Sequence, residues 1–142
     1  METPSDRRYT PAHEWVQVVS EDPEGTRVRI GISDFAQDSL GDIVFVDLPD
    51  VGRTVDAGET IAEVESTKSV GEVYAPMTGR VAAVNDELVD TPELVNEDPY
   101  GRGWIAELLV ADPAGLSELI DAEAYAATLD SRGFSRGRGT MP

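Results

Sequence analysis

The chain has 142 residues, 28 acidic against 11 basic, a net charge of −17 and no cysteine. That length suits a single domain with a real core, while the charge repels phosphate backbones and argues against a nucleic-acid partner. The absence of cysteine excludes disulfides, thiolate nucleophiles and sulfur-ligated metals, and His13 is the only imidazole. His13 has no nucleophile beside it in the sequence, so it is expected to be structural and no metal site is expected.

The opening segment METPSDRRYT lacks the apolar block of a secretory signal, and no apolar run approaches the roughly 20 residues of a membrane span. A cytoplasmic protein is expected. Residues 14–19 and 26–32 read as strands joined by the turn Asp22-Pro23-Glu24-Gly25, with Val28, Ile30 and Ile32 alternating with Arg27 and Arg29. A short helix is predicted over 33–40, capped by Asp34 with Gln37 reciprocating and stopped by Gly41. A dense apolar strand follows over 43–48, ending at Pro49.

From 52 to 110 the sequence reads as short strands between turn residues. A faint repeat of period 27 relates Gly52-Arg53, Gly58-Glu59 and Ile61 to Gly79-Arg80, Asn85-Asp86 and Leu88. Gly and Asn both tolerate positive φ, so the matched turns are expected to be equivalent, in two similar sheet halves. Residues 103–110 form a further buried strand, and Asp112 with Pro113 starts a helix whose apolar face is Leu116, Leu119 and Ile120. A second helical stretch covers 121–129, carrying Tyr125 and Leu129. The Gly- and Arg-rich residues 131–142 are expected to be disordered and the first eight flexible.

One count stands out. Ten of the 11 basic residues are Arg, and Lys68 is the only lysine. Where only positive charge is needed, arginine serves; a retained lysine offers a primary amine that can be acylated, which a guanidinium cannot imitate. Lys68 lies between the strand-like segments 60–65 and 70–75, so Ser66–Ser69 become a hairpin connection that projects from a sheet. A chain poorly equipped for chemistry of its own, with one amine on a tip, suits a carrier of a covalently attached group.

The segments YTPAHEW (9–15), GISDFAQDSLGD (31–42), GDIVFVDLPDVG (41–52), AGETIAEVESTKSV (57–70), YAPMTGRVAAVN (74–85) and PELVNEDPYGRGWIAEL (92–108) resemble the H proteins of the glycine cleavage system. The likeness runs from about Tyr9 to Leu129. It implies a mainly β, lipoyl-domain-like flattened barrel or sandwich of two antiparallel sheets with short helices, including a C-terminal helical segment. Residues 9–130 would be this single carrier domain. It further implies lipoate in amide linkage to Lys68, giving an arm of about 14 Å, and no catalytic residues in the chain itself.

The partners so implied are glycine decarboxylase (P protein, using pyridoxal phosphate), the tetrahydrofolate-dependent aminomethyltransferase (T protein), dihydrolipoamide dehydrogenase (L protein) and a lipoyl/octanoyl transferase, with no membrane partner and the chain a monomer. Glu14 and Glu72 match acidic positions near the groove that shelters the loaded arm, and Glu65 matches the acid that aids recognition by the lipoylating enzyme. Glu72 stands where the family often has Asp, and Ala12 where Ser is common. For each of the three Glu residues, ordinary surface charge is the competing reading. Other competing readings are a biotin carrier, disfavoured because Thr67 and Ser69 rather than methionines flank the lysine, and an unmodified relative acting only as an interaction module or a relay protein passing lipoyl or octanoyl groups onward. An independent enzyme is the remaining reading, and the lack of catalytic groups disfavours it.

Overall fold

A computed structural model describes residues 2–135 of the chain, with side chains described through Leu129. Two antiparallel sheets form the body. The larger contains β1 (Arg8–Tyr9), β2 (Glu14–Asp22), β3 (Gly25–Ile32), β9 (Ala106–Val110), β8 (Gly79–Val84) and β5 (Thr54–Val55), in the order β1-β2-β3-β9-β8-β5. The smaller contains β4 (Ile43–Asp47), β6 (Thr60–Ser66) and β7 (Val70–Tyr74), in the order β4-β6-β7. Helices α1 (Asp34–Leu40), α2 (Glu87–Asp90), α3 (Leu94–Glu97) and α4 (Ala122–Ser135), with a 3-10 turn at Pro113–Glu118, complete the described residues.

Alternation builds the sandwich. In β3, Val28 and Ile30 are fully buried between half-exposed Arg27 and Arg29; in β6, Ile61 and Val64 turn inward while Glu63 and Glu65 turn out. These inward residues meet Val16, Val46, Val73, Val81, Ile105 and Leu108 in one core. A second cluster stacks Tyr9 on Tyr125 with ring centroids 4.6 Å apart and buries Trp15 beside them. Trp15 Nε1 donates to the Pro99 carbonyl at 2.9 Å, so the indole is buried without losing its hydrogen bond.

Several sequence expectations need correction. The α1 cap is Ser33, whose hydroxyl accepts from the Ala36 amide; Asp34 is the first helical residue and holds Gln37 by a side-chain bond at 2.7 Å. A side-chain oxygen one residue earlier reaches the orphan amide better. Asn85 is absent from the residues with positive φ, unlike Gly52 and Gly58, so the repeated turns differ. Asn85 is buried and donates to the carbonyls of Arg102 and Trp104. The segment matching β6 in the second copy, residues 87–93, folds into α2 and the turn after it instead.

The first residues, expected to be flexible, make defined contacts: the Tyr100 and Tyr9 hydroxyls donate to the Glu2 and Pro4 carbonyls, and the Arg7 guanidinium lies 4.7 Å over the Trp15 ring. Residues 131–135, expected to be disordered, continue α4; residues 136–142 lie outside the described residues. Asp112 does cap the turn begun by Pro113, accepting from the Ala114 amide.

Candidate functional site

Lys68 sits in the exposed turn between β6 and β7. Ser66 organises this turn. Its amide donates to the Ser69 carbonyl at 2.8 Å, its hydroxyl donates to the same carbonyl, and its oxygen accepts the Lys68 and Ser69 amides at 3.3 and 3.0 Å. The Thr67 amide donates to the Asp42 carbonyl, which fastens the tip to the corner between α1 and β4.

That corner is shaped for the lysine. Gly41 ends α1 with φ at +87°, and a Cβ there would stand 3.4 Å from Lys68 Cε, so glycine serves both the turn and the lysine stem lying across it. Asn96 of α3 locks the corner from behind: its amide nitrogen donates to Gln37 Oε1 and the Gly41 carbonyl, and its oxygen accepts the Ile43 amide, all at 2.9 Å. The corner beneath the lysine is therefore held by a residue 53 to 59 places away along the chain.

A groove of about 190 Å³ lies between α1 and the edge strand β7, lined by Ala12, His13, Phe35, Leu40, Gly71, Glu72 and Val73 among others. Its walls are mostly apolar. Leu40, next to Gly41, forms one side, and Gly71 keeps β7 low enough for Leu40 to approach, since a Cβ at Gly71 would meet both Leu40 methyls at 3.2 Å. Glu72 is exposed at the wall and accepts from Thr60 Oγ1 at 3.0 Å and the Tyr74 hydroxyl at 3.4 Å.

His13 adopts φ of +71°, its Nδ1 shares a 2.7 Å hydrogen bond with the Tyr125 hydroxyl, and its ring packs 4.8 Å from Phe35. It closes one end of the groove from a tight turn.

The three glutamates singled out in the sequence fare differently. Glu14 is neither on the surface nor on the groove wall: it is 2% exposed, accepts from Thr10 Oγ1 at 2.9 Å and accepts the Tyr74 amide at 2.7 Å. Burial pushes its carboxyl up from the ordinary value, against the opposing effect of those two hydrogen bonds. It tethers the edge strand β7 to the N-terminal turn. Glu65 is exposed on β6 opposite Phe45 and Val70, three residues before Lys68. Thus Glu65 flanks the Lys68 turn, Glu72 lies mid-strand in β7 with its carboxylate toward Thr60 and Tyr74, and Glu14 holds the end of β7 farther from the lysine.

Sequence reasoning missed Ser66, Gly71 and Asn96 as builders of this site. Only Asn96 carried a usable signal, a polar residue directly after the buried apolar pair Leu94 and Val95.

A family model described as "Glycine cleavage H-protein" matches residues 7–132. A glycine cleavage system H protein of Thermus thermophilus is 52% identical over 131 residues, covering 92% of this chain and 98% of its own length. Another from Nocardia farcinica is 56% identical over 127 residues, covering 87% and 93%. The crystal structure of a glycine cleavage system H protein from Mycobacterium marinum superposes with a TM-score of 0.78 at 44% identity, covering 89% of this chain and 98% of that one.

Proposed function

We propose that Lys68 is the lipoyl-bearing residue of this chain, which belongs to the glycine cleavage H-protein family. The chain is accordingly a non-catalytic carrier of the glycine cleavage system, its cofactor is lipoyl-lysine, and its partners are the other components of that system. No helix among the described residues is long and apolar enough to cross a membrane. The observation that carries the assignment to Lys68 is that the only primary amine of any side chain is exposed on a preformed turn, beside a groove with apolar walls.

The residues present fit the group. The Lys68 backbone amide is engaged in the turn but its side chain extends over Gly41, so an amide on Nζ disturbs no contact that holds the fold. When bound, the lipoyl group supplies a disulfide that opens to take the aminomethyl carbon on sulfur. Phe35, Leu40 and Val73 exclude water along the groove, which protects a hydrolysable cargo. The Glu72 carboxylate favours a cationic nitrogen brought to the wall. Glu14 acts on this wall indirectly, by fixing the Tyr74 amide and hence the course of β7.

In this reading the chain takes the aminomethyl group from glycine decarboxylase to the tetrahydrofolate-dependent aminomethyltransferase, and dihydrolipoamide dehydrogenase restores its oxidised state. A lipoyl/octanoyl transferase loads Lys68, with Glu65 as part of what it recognises. The carrier works as a monomer in the cytoplasm. Residues 9–130 act as the carrier domain. Lys68→Arg keeps the charge and removes the acylable amine. Its expected result is complete loss of lipoyl mass and of glycine-dependent bicarbonate exchange, with thermal stability changed by no more than about 0.5 kcal/mol. Full exchange activity in that variant ends the assignment.

A further inference from the structure

The outward face of the small sheet carries an apolar row beside the lysine. Phe45 stands opposite Glu65, and Glu65 opposite Val70. Residues directly opposed on neighbouring antiparallel strands project to the same side, so the three make one row with Glu65 in the middle. Phe45 is 54% exposed and Val70 57%, and Val44 beside them is 51% exposed. The next row along is Asp47, Glu63 and Glu72, all exposed.

Single exposed apolar residues need no explanation. A phenylalanine and a valine on an otherwise acidic face, with Val70 two residues from the reactive amine, do. The core does not ask for them, since Val46 and Val64 already fill the inward positions of β4 and β6.

We propose that the Phe45–Glu65–Val70 row is the docking pad for the enzyme that acylates Lys68. This rests on Lys68 being the attachment site. The occupant follows from reach. A bare lysine side chain spans about 6 Å, so the acylating enzyme must cover the neighbours of the turn. Enzymes that use the loaded arm stand off by about 14 Å.

The matching surface on that enzyme is an apolar pocket for Phe45 and Val70, rimmed by basic groups that meet Glu65 and the acidic row. The step it serves is acyl transfer from an acyl thioester. The amine nitrogen forms the new C–N bond, the acyl carbon–sulfur bond breaks, and the thiol leaves with the proton the amine gives up.

The test uses the full-length unmodified chain, purified octanoyl transferase and an octanoyl thioester donor, with acylation followed by intact mass. The double variant Phe45→Ser, Val70→Thr is expected to lose at least tenfold in kcat/KM, through KM, with an unchanged denaturation midpoint. Phe45→Leu retains most of the rate, and Val89→Thr, which alters a 66% exposed valine elsewhere, retains all of it. An unchanged kcat/KM in the double variant overturns the pad. So does normal acylation followed by failure with the decarboxylase or aminomethyltransferase, which assigns the row to the arm-using enzymes. Absence of any acyl mass on Lys68 in the unsubstituted chain instead removes the attachment site itself, a result separable from the other two.

Discussion

The two sheets show their charge to solvent in opposite ways. On the larger one, Glu107 meets Arg27 at 3.0 Å and Arg29 at 2.7 Å, its side chain is 7% exposed, and the Arg29 guanidinium lies 4.5 Å over the Trp104 ring. On the smaller one, Asp47, Glu63 and Glu72 oppose one another across three strands, and among the described residues none of them is in an ion pair. Like charges directly opposite on neighbouring strands are destabilising. The first face is complete in itself. The second tolerates a local cost on the side that flanks Lys68, where other proteins must approach.

Breaking the paired face should give the largest change in stability. Glu107→Gln leaves two guanidinium groups without their shared carboxylate and is expected to cost about 1–3 kcal/mol. Urea denaturation should show a lower midpoint with the slope unchanged. A shift below about 0.3 kcal/mol would show that solvent already screens the triad, and the contrast between the faces would lose its energetic half.

Glu14 sharpens the comparison because it is buried like Glu107 but hydrogen-bonded only to neutral groups. Burial raises its carboxyl above the ordinary 4.5, so the folded chain binds this proton more tightly than the unfolded chain. The stability linked to it is full below the ordinary value and is lost as pH rises through the raised one. Denaturation midpoints measured from pH 4.5 to neutrality should therefore fall more steeply for the unsubstituted chain than for Glu14→Gln. Parallel curves would mean that Glu14 ionises in the fold without penalty.

The smallest effect is expected on the open face. Glu63→Lys converts the middle of the acidic row into a bridge and should raise stability by no more than about 1 kcal/mol. The unsubstituted chain should gain stability with added salt and the variant should gain less. Equal salt responses would show that the three carboxylates are too well hydrated to repel.

The sequence exposed the parts of this molecule that follow from local chemistry. Alternation in 26–32 marks a half-buried strand whatever lies beyond it, and a lone lysine among ten arginines needs no fold to be conspicuous. The two-sheet sandwich and the carrier family came from the resemblance carried by the quoted segments, and the family model, the relatives and the solved structure agree with it. What stayed hidden depends on long-range partners. Asn96 has no assigned role until α3 brings it against Gly41 and Ile43, more than 50 residues away. Glu14 reads as a groove-side or surface acid because nothing nearby reveals that the Tyr74 amide, 60 residues on, will donate to it. Asn85 and Gly58 look alike as turn residues, yet one is held by two carbonyls and the other takes φ of +87°.

The Ser66 hydroxyl has a kinetic consequence. Because it holds the amides of Lys68 and Ser69, the loop has its shape before any acyl group arrives. A modifying enzyme meets a rigid handle and loses little freedom in ordering it, which speeds productive encounters without stronger adhesion. The same rigidity leaves the loop unaltered when cargo comes and goes. Turnover after turnover, only the tether has to move.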